Sequence, residues 1–150
     1  MDGETHFSDM EERFSKALHG TARSWRQTID RRLKYLGVSQ ASWMTITVAA
    51  QAPSPLSQSE LADQLAVEGA TMVAMIDRLV KAGLVVREPS TADRRVKRVV
   101  VTAAGYRLYD RVKAEAAAVR KELLAKIDPE NIEAATVLLE TLQRTIEGAP

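Results

Sequence analysis

Residues 57–102 read SQSELADQLAVEGATMVAMIDRLVKAGLVVREPSTADRRVKRVVVT. The stretch opens on a capping box, with Ser57 at the cap and Glu60 three residues on, which satisfies open backbone N–H groups at a helix start. A short helix over 57–66 is expected, with Leu61, Ala62 and Leu65 facing inward. Val67-Glu68-Gly69 predicts a tight turn. A second helix follows from about Ala70 to Ala82, buried through Val73, Ile76, Leu79 and Val80 and closed by Gly83. Leu84 to Glu88 is short and β-branched, Pro89 to Asp93 is turn chemistry, and Val96 to Val101 reads as a second strand. The connecting loop is longer than a two-residue hairpin turn, so its tip projects. Helix, turn, helix and hairpin in this order describe a helix-turn-helix followed by a wing.

Charge is distributed to match. The whole chain carries a net +1 over 150 residues. Residues 77–113, however, hold ten basic and four acidic side chains, whereas residues 37–76 hold three acidic and no basic ones. Four of the five residues from Arg94 to Arg98 are basic. Such a tip repels itself in isolation and is relieved by a phosphate backbone. A helix of this kind enters the major groove, and arginine on a wing reaches the concentrated negative potential of the minor groove. Double-stranded DNA is therefore the expected partner.

With Val73, Ile76 and Leu79 inward, the second helix presents Ala70, Thr71, Ala74, Met75 and Arg78 outward. No arginine or asparagine stands at the front of this helix to make bidentate base contacts. Thr71 can hydrogen-bond a base or phosphate, while Ala70, Ala74 and Met75 can meet only thymine methyls. Specificity is expected to lean on the wing and on DNA shape. Plain packing is the alternative for Met75 and the preferred reading for Met72.

The flanks are helical. Phe7, Met10, Phe14, Leu18, Ala22, Trp25, Ile29, Leu33 and Leu36 recur at three- and four-residue steps, the stripe of a long helix over about 8–36 that ends at Gly37. Ser39 caps the next helix, and Ala52-Pro53-Ser54-Pro55 ends it. Thr102 caps a helix over about 103–127. Asp128-Pro129 starts a last helix packing through Ile132, Ala135, Leu138, Leu139, Leu142 and Ile146. The fold expected is mainly α, of α+β type: a winged helix-turn-helix over 39–102 with a small β-hairpin wing, and a helical dimerisation region from 1–36 and 103–150. A small reading domain cannot cover all of these stripes. Two copies burying them together would, with a two-fold axis placing two reader helices on one DNA face; an antiparallel bundle within the monomer is the alternative.

Other classes fit less well. The chain has no cysteine, hence no disulfide and no thiolate nucleophile. His6 and His19 are its two histidines, and there is no Gly-rich phosphate loop, His-based zinc motif or nucleophile elbow. No enzyme, metal or cofactor is expected. A helical adaptor would account for the stripes but not for the basic hairpin. No apolar run approaches 18 residues, and MDGETHFSDM is no signal-peptide pattern, so a cytoplasmic protein without membrane association is expected.

The stretch DRRVKRVVVTAAG (93–105) resembles the D-R-R-x-K-x-x-x-L-T-x-x-G wing of MarR-type winged-helix regulators. LSQSELADQLAVEGATMVAMIDRLVKAGLVVREP is similar to that family's two-helix reader and first strand, and WRQTIDRRLKYLGVSQASW (25–43) to its SlyA-type branch. The resemblance implies a homodimeric transcriptional regulator, more commonly a repressor, that binds pseudo-palindromic promoter DNA and responds to small aromatic or anionic ligands. It implies Arg95 as the minor-groove arginine, with Asp93 orienting it, and Arg94, Lys97 and Arg98 as phosphate contacts or shapers of the wing. An outward strand position without DNA contact remains the alternative for Arg98, and a plain turn residue for Asp93. At the branch's arginine position this chain has Ala74. The resemblance also places a ligand site near Ser39, Trp43, Thr47 and Trp25, with Arg23 and Arg26 beside it to suit an aromatic carboxylate. For Trp43 an ordinary core position is the competing reading.

Overall fold

A computed structural model describes residues 2–149. Helix α1 spans Asp2–Arg32, and a single 3₁₀ turn over Lys34–Leu36 links it to α2, Gln40–Gln51. A two-residue strand β1, Leu56–Ser57, leads directly into α3, Gln58–Leu65, and then α4, Gly69–Lys81. Strands β2, Val85–Pro89, and β3, Lys97–Val101, form the hairpin, and α5, Ala103–Leu124, and α6, Pro129–Glu147, complete the chain. Contacts divide the chain into one compact unit up to Ala116 and a second from Ala117 onward.

The first unit contains the helix-turn-helix and the wing. Ser57 caps α3 as its sequence predicts, its Oγ accepting from Glu60 N at 3.1 Å. The turn after α3 is made differently from expectation. It begins one residue before the predicted turn, at Ala66, which adopts the left-handed conformation (φ 53°) and whose N–H donates back to Ala62 and Asp63 carbonyls. Gly69 is the first residue of α4 instead. A non-glycine residue in this region costs about 1–2 kcal/mol, set here against two carbonyls satisfied at the helix end.

The sheet has three strands rather than two, in the order β1-β3-β2. Leu56 pairs with Val99 and Ser57 with Arg98. Two residues after a proline loop, the second of them the cap of α3, show no alternation, so β1 leaves no periodic trace in the sequence. The hairpin register runs from Val85↔Val101 to Pro89↔Lys97. Val85 and Val99, both 1% exposed, close the sheet onto a core that includes Leu33, Ile46, Leu61 and Ile76, each at 0%. Burying side chains of this size stabilises by roughly 1.5–3 kcal/mol each.

The root of the wing is fixed to the start of α5. Thr102 Oγ1 donates to Gly83 O at 2.6 Å and accepts from Gly105 N at 3.1 Å. Thr102 N donates to Leu84 O at 3.1 Å. Gly83 sits at φ 75°, which only glycine adopts readily. A Cβ at Gly105 would overlap Leu84 O and lie 2.6 Å from Val101 Cγ1. The T-x-x-G spacing thus has a physical cause: a cap at the first position and a close backbone approach at the last.

In the second unit, Asp128 caps α6 by accepting from Glu130 N at 2.9 Å, with Pro129 in the first turn. None of α6's residues is buried; Leu138 is 50% and Ile146 66% exposed. No helix among the described residues is long and apolar enough to cross a membrane.

Candidate nucleic-acid interface

The exposed face of α4 differs from expectation on one flank. Its buried residues are Met72, Met75, Ile76 and Leu79. Ala70, Thr71, Ala74 and Arg78 are exposed as expected. Met75 is not; it is 4% exposed, and its Sδ lies 3.6 Å from Ser42 Oγ on α2. Val73 and Val80, expected inside, are exposed at 42% and 37%. Both patterns share Ile76 and Leu79 and differ by one position around the helix. The long unbranched Met75 reaches Ser42 on α2, which a shorter valine cannot do from that side. Met75 is therefore removed from the set of residues able to meet thymine methyls, and Val73 joins the outer surface.

The wing is built from short local bonds. Ser90 N donates to Val96 O at 2.8 Å and Val96 N to Asp93 O at 3.0 Å. Ala92 N donates to Ser90 Oγ at 3.2 Å, and Ser90 is buried. Asp93 Oδ1 accepts from Arg95 N at 3.0 Å and Arg95 Nε at 3.2 Å, while Oδ2 accepts from the guanidinium at 3.4 Å. The Arg95 side chain is nonetheless 91% exposed. A carboxylate thus holds a planar fork in one orientation while leaving it open to solvent. Arg94 and Lys97 are exposed and Arg98 half-buried on β3, between Ser57 and Glu88. Among the described residues, none of these three has an acidic partner within salt-bridge distance.

Nothing in the local sequence around Arg87 points to a role for it. It lies on β2, where its Nε donates to Gln58 Oε1 at 2.6 Å and its terminal nitrogen to Asp77 Oδ1 at 2.6 Å and Val73 O at 3.3 Å. The one signal available was an arginine in a short β-branched strand, which no local rule connects to a helix ten residues earlier.

The residues expected around a ligand are spread over the core and the surface of the first unit. Trp43 is 5% exposed, and its Nε1 donates to Asp30 Oδ1 at 3.0 Å, so it is a satisfied core residue joining α2 to α1. Thr47 is half-buried and donates to Trp43 O at 2.8 Å, and Trp25 is half-buried on α1. A cavity of about 460 Å³ does open beside α4, but of these four residues only Ser39 borders it. Its other walls include Met44, Thr45, Thr71, Met72 and Met75. No basic residue lines it, so Arg23 and Arg26 have no part in it. No group of three or more His, Asp or Glu side chains able to hold a metal occurs among the described residues.

Residues 38–97 match the model of the MarR family. Over 91% of this chain and 99% of the other, the sequence is 35% identical to transcriptional regulator PA3341, whose crystal structure superposes with a TM-score of 0.83. The chain belongs to the MarR family. It is a transcriptional regulator with a winged-helix DNA-binding fold, not an enzyme. Two further structures share the fold of this MarR-family regulator. The MepR–DNA complex from S. aureus is 19% identical over 88% of this chain and 97% of that one, with a TM-score of 0.74. CouR from Rhodococcus jostii RHA1 bound to p-coumaroyl-CoA is 24% identical over 88% and 90%, with a TM-score of 0.75.

Proposed function

We propose that this MarR-family regulator acts as a homodimeric repressor of the SlyA type. It binds pseudo-palindromic promoter DNA with α4 in the major groove and the wing in the adjacent minor groove. The observation that carries the reading is the Arg95 fork, oriented by Asp93 yet almost wholly open to solvent. Thr71, Ala70, Ala74 and Arg78 form the helix contribution, and Arg94, Lys97 and Arg98 contact phosphates. The SlyA-type assignment rests on the segment from Trp25 to Trp43. Repression predicts that a promoter carrying the site is more active without the protein than with it in a reporter assay.

A gel-shift salt titration tests DNA binding. Several phosphate contacts predict a loss of roughly 10³-fold or more in affinity between about 50 and 200 mM salt. A flat response, or no duplex binding at low salt, contradicts the reading.

Dimerisation is supported by large apolar side chains that remain exposed: Phe7, Met10 and Phe14 on α1, and Val137, Leu138 and Ile146 on α6. Large stripes of this kind mark association surfaces. Leu142→Asp puts a charge in the α6 stripe. The expected result is a monomer by size-exclusion chromatography, with DNA affinity lost as a consequence. A variant that remains dimeric would argue for a different interface.

A regulatory ligand is best placed in the cavity beside α4. Its methionine-rich walls suit the apolar body of an aromatic molecule, and a carboxylate would find no cation there. Thr71 belongs both to that wall and to the outer surface of α4. A ligand that favours one placement of α4 over another would shift the population competent for DNA.

A further inference from the structure

Arg87 stands at the middle of β2, in the part of the chain richest in positive charge, yet its guanidinium is turned toward the protein. It is 27% exposed and joins three elements: β2 itself, Gln58 at the start of α3, and Val73 and Asp77 on α4. We infer that Arg87 is a positioning residue that fixes the outer half of the wing to the reader helix, so that Arg95 and Thr71 meet one duplex in a constant register. The inference rests on the DNA-binding reading above.

Three observations support it. At the base of β2, Val85 anchors the strand in the core; the next residue, Val86, is exposed, and the strand beyond carries no other buried side chain before its end. Arg87 is thus where the projecting ribbon is held to the helices. Next, Asp77 is 61% exposed on the outer surface of α4, near Ala70 and Ala74 in helical projection. Left alone, that carboxylate would repel phosphate, and the Arg87 pair neutralises it. Finally, an ion pair this open to water contributes little to stability. A planar fork meeting three acceptors fixes an angle, which a lysine cannot do.

A double-mutant cycle on duplex affinity separates positioning from plain structure. The probe is a duplex recovered by binding-site selection from random sequence, bound to the full chain. In the unmodified protein, Arg95→Ala weakens binding by about tenfold or more. In the Arg87→Met background the same change costs less than about threefold, because the wing is no longer presented to the groove. Arg87→Lys, which keeps the charge without the fork, also shrinks the Arg95→Ala penalty; should Arg87→Met fail to fold, the Arg87→Lys cycle decides. Equal Arg95→Ala penalties with and without Arg87 overturn the inference and leave DNA binding standing. No penalty from Arg95→Ala in the unmodified protein overturns both.

Discussion

Arg95→Ala lowers duplex affinity by roughly tenfold to a hundredfold, about 1–3 kcal/mol, while leaving assembly and melting temperature unchanged. The asymmetry follows from where the side chain sits. Arg95 is 91% exposed, and among the described residues its side chain bonds only to the carboxylate of Asp93 in the same loop. Removing it deletes no core contact and leaves no buried group without a partner. The exposed pair itself adds little to folding. DNA binding loses a preoriented fork in the groove where negative potential is concentrated. Asp93→Ala should show a smaller loss, because the arginine survives but must be ordered on binding. Fluorescence anisotropy with a labelled duplex, beside a thermal melt, measures both. An unchanged affinity, or a melting temperature many degrees lower, would contradict the assignment.

The largest stability effect is expected at Gly105. An added Cβ would overlap Leu84 O, which is backbone and cannot rotate away, and would press Val101 Cγ1 at 2.6 Å. Either α5 or the wing root must move, and the bonds of Thr102 to Gly83 and Leu84 lie at that junction. Overpacking of a flexible core costs about 1–3 kcal/mol, and a backbone neighbour places Gly105→Ala at or above the top of that range. For a chain of this size the melting temperature should fall by roughly 6–12 °C. Gly69→Ala is the control. A Cβ there meets nothing within 4 Å, so its melt should match the parent within a degree or two. Equal melts for the two variants would show that the close approach at Gly105 is not tight.

How far the residues announce this structure depends on whether the signal is local. Ser57 and Asp128 are caps whose partners lie two or three residues away, and both act as their spacing predicts. The Asp93–Arg95 pair is equally local, so a motif resemblance could carry its roles onto these positions. What the local pattern leaves out shares a different cause. Met75 and Val73 exchange faces because α2 lies on one side of α4, and periodicity alone does not say on which side a neighbour packs. Trp43 is a core residue because Asp30, thirteen positions earlier on another helix, accepts its N–H. β1 exists because β3 offers an edge to two otherwise unpatterned residues. Arg87 acquires a role only once β2 is laid against α3 and α4. Each of these belongs to the assembled fold and not to any window of the chain.

The chain contains no cysteine, so Thr71→Cys and Arg94→Cys each create a unique attachment point for a DNA-cleaving reagent. With the selected duplex, cuts from position 71 should fall along a major groove. Cuts from position 94 should fall in the adjoining minor groove, displaced by about half of a ~10.5-base-pair turn and repeated about a two-fold centre. Cleavage from position 71 with none from position 94, or two sets of cuts with no fixed displacement, would mean that the wing and the reader helix do not grip the same stretch of DNA.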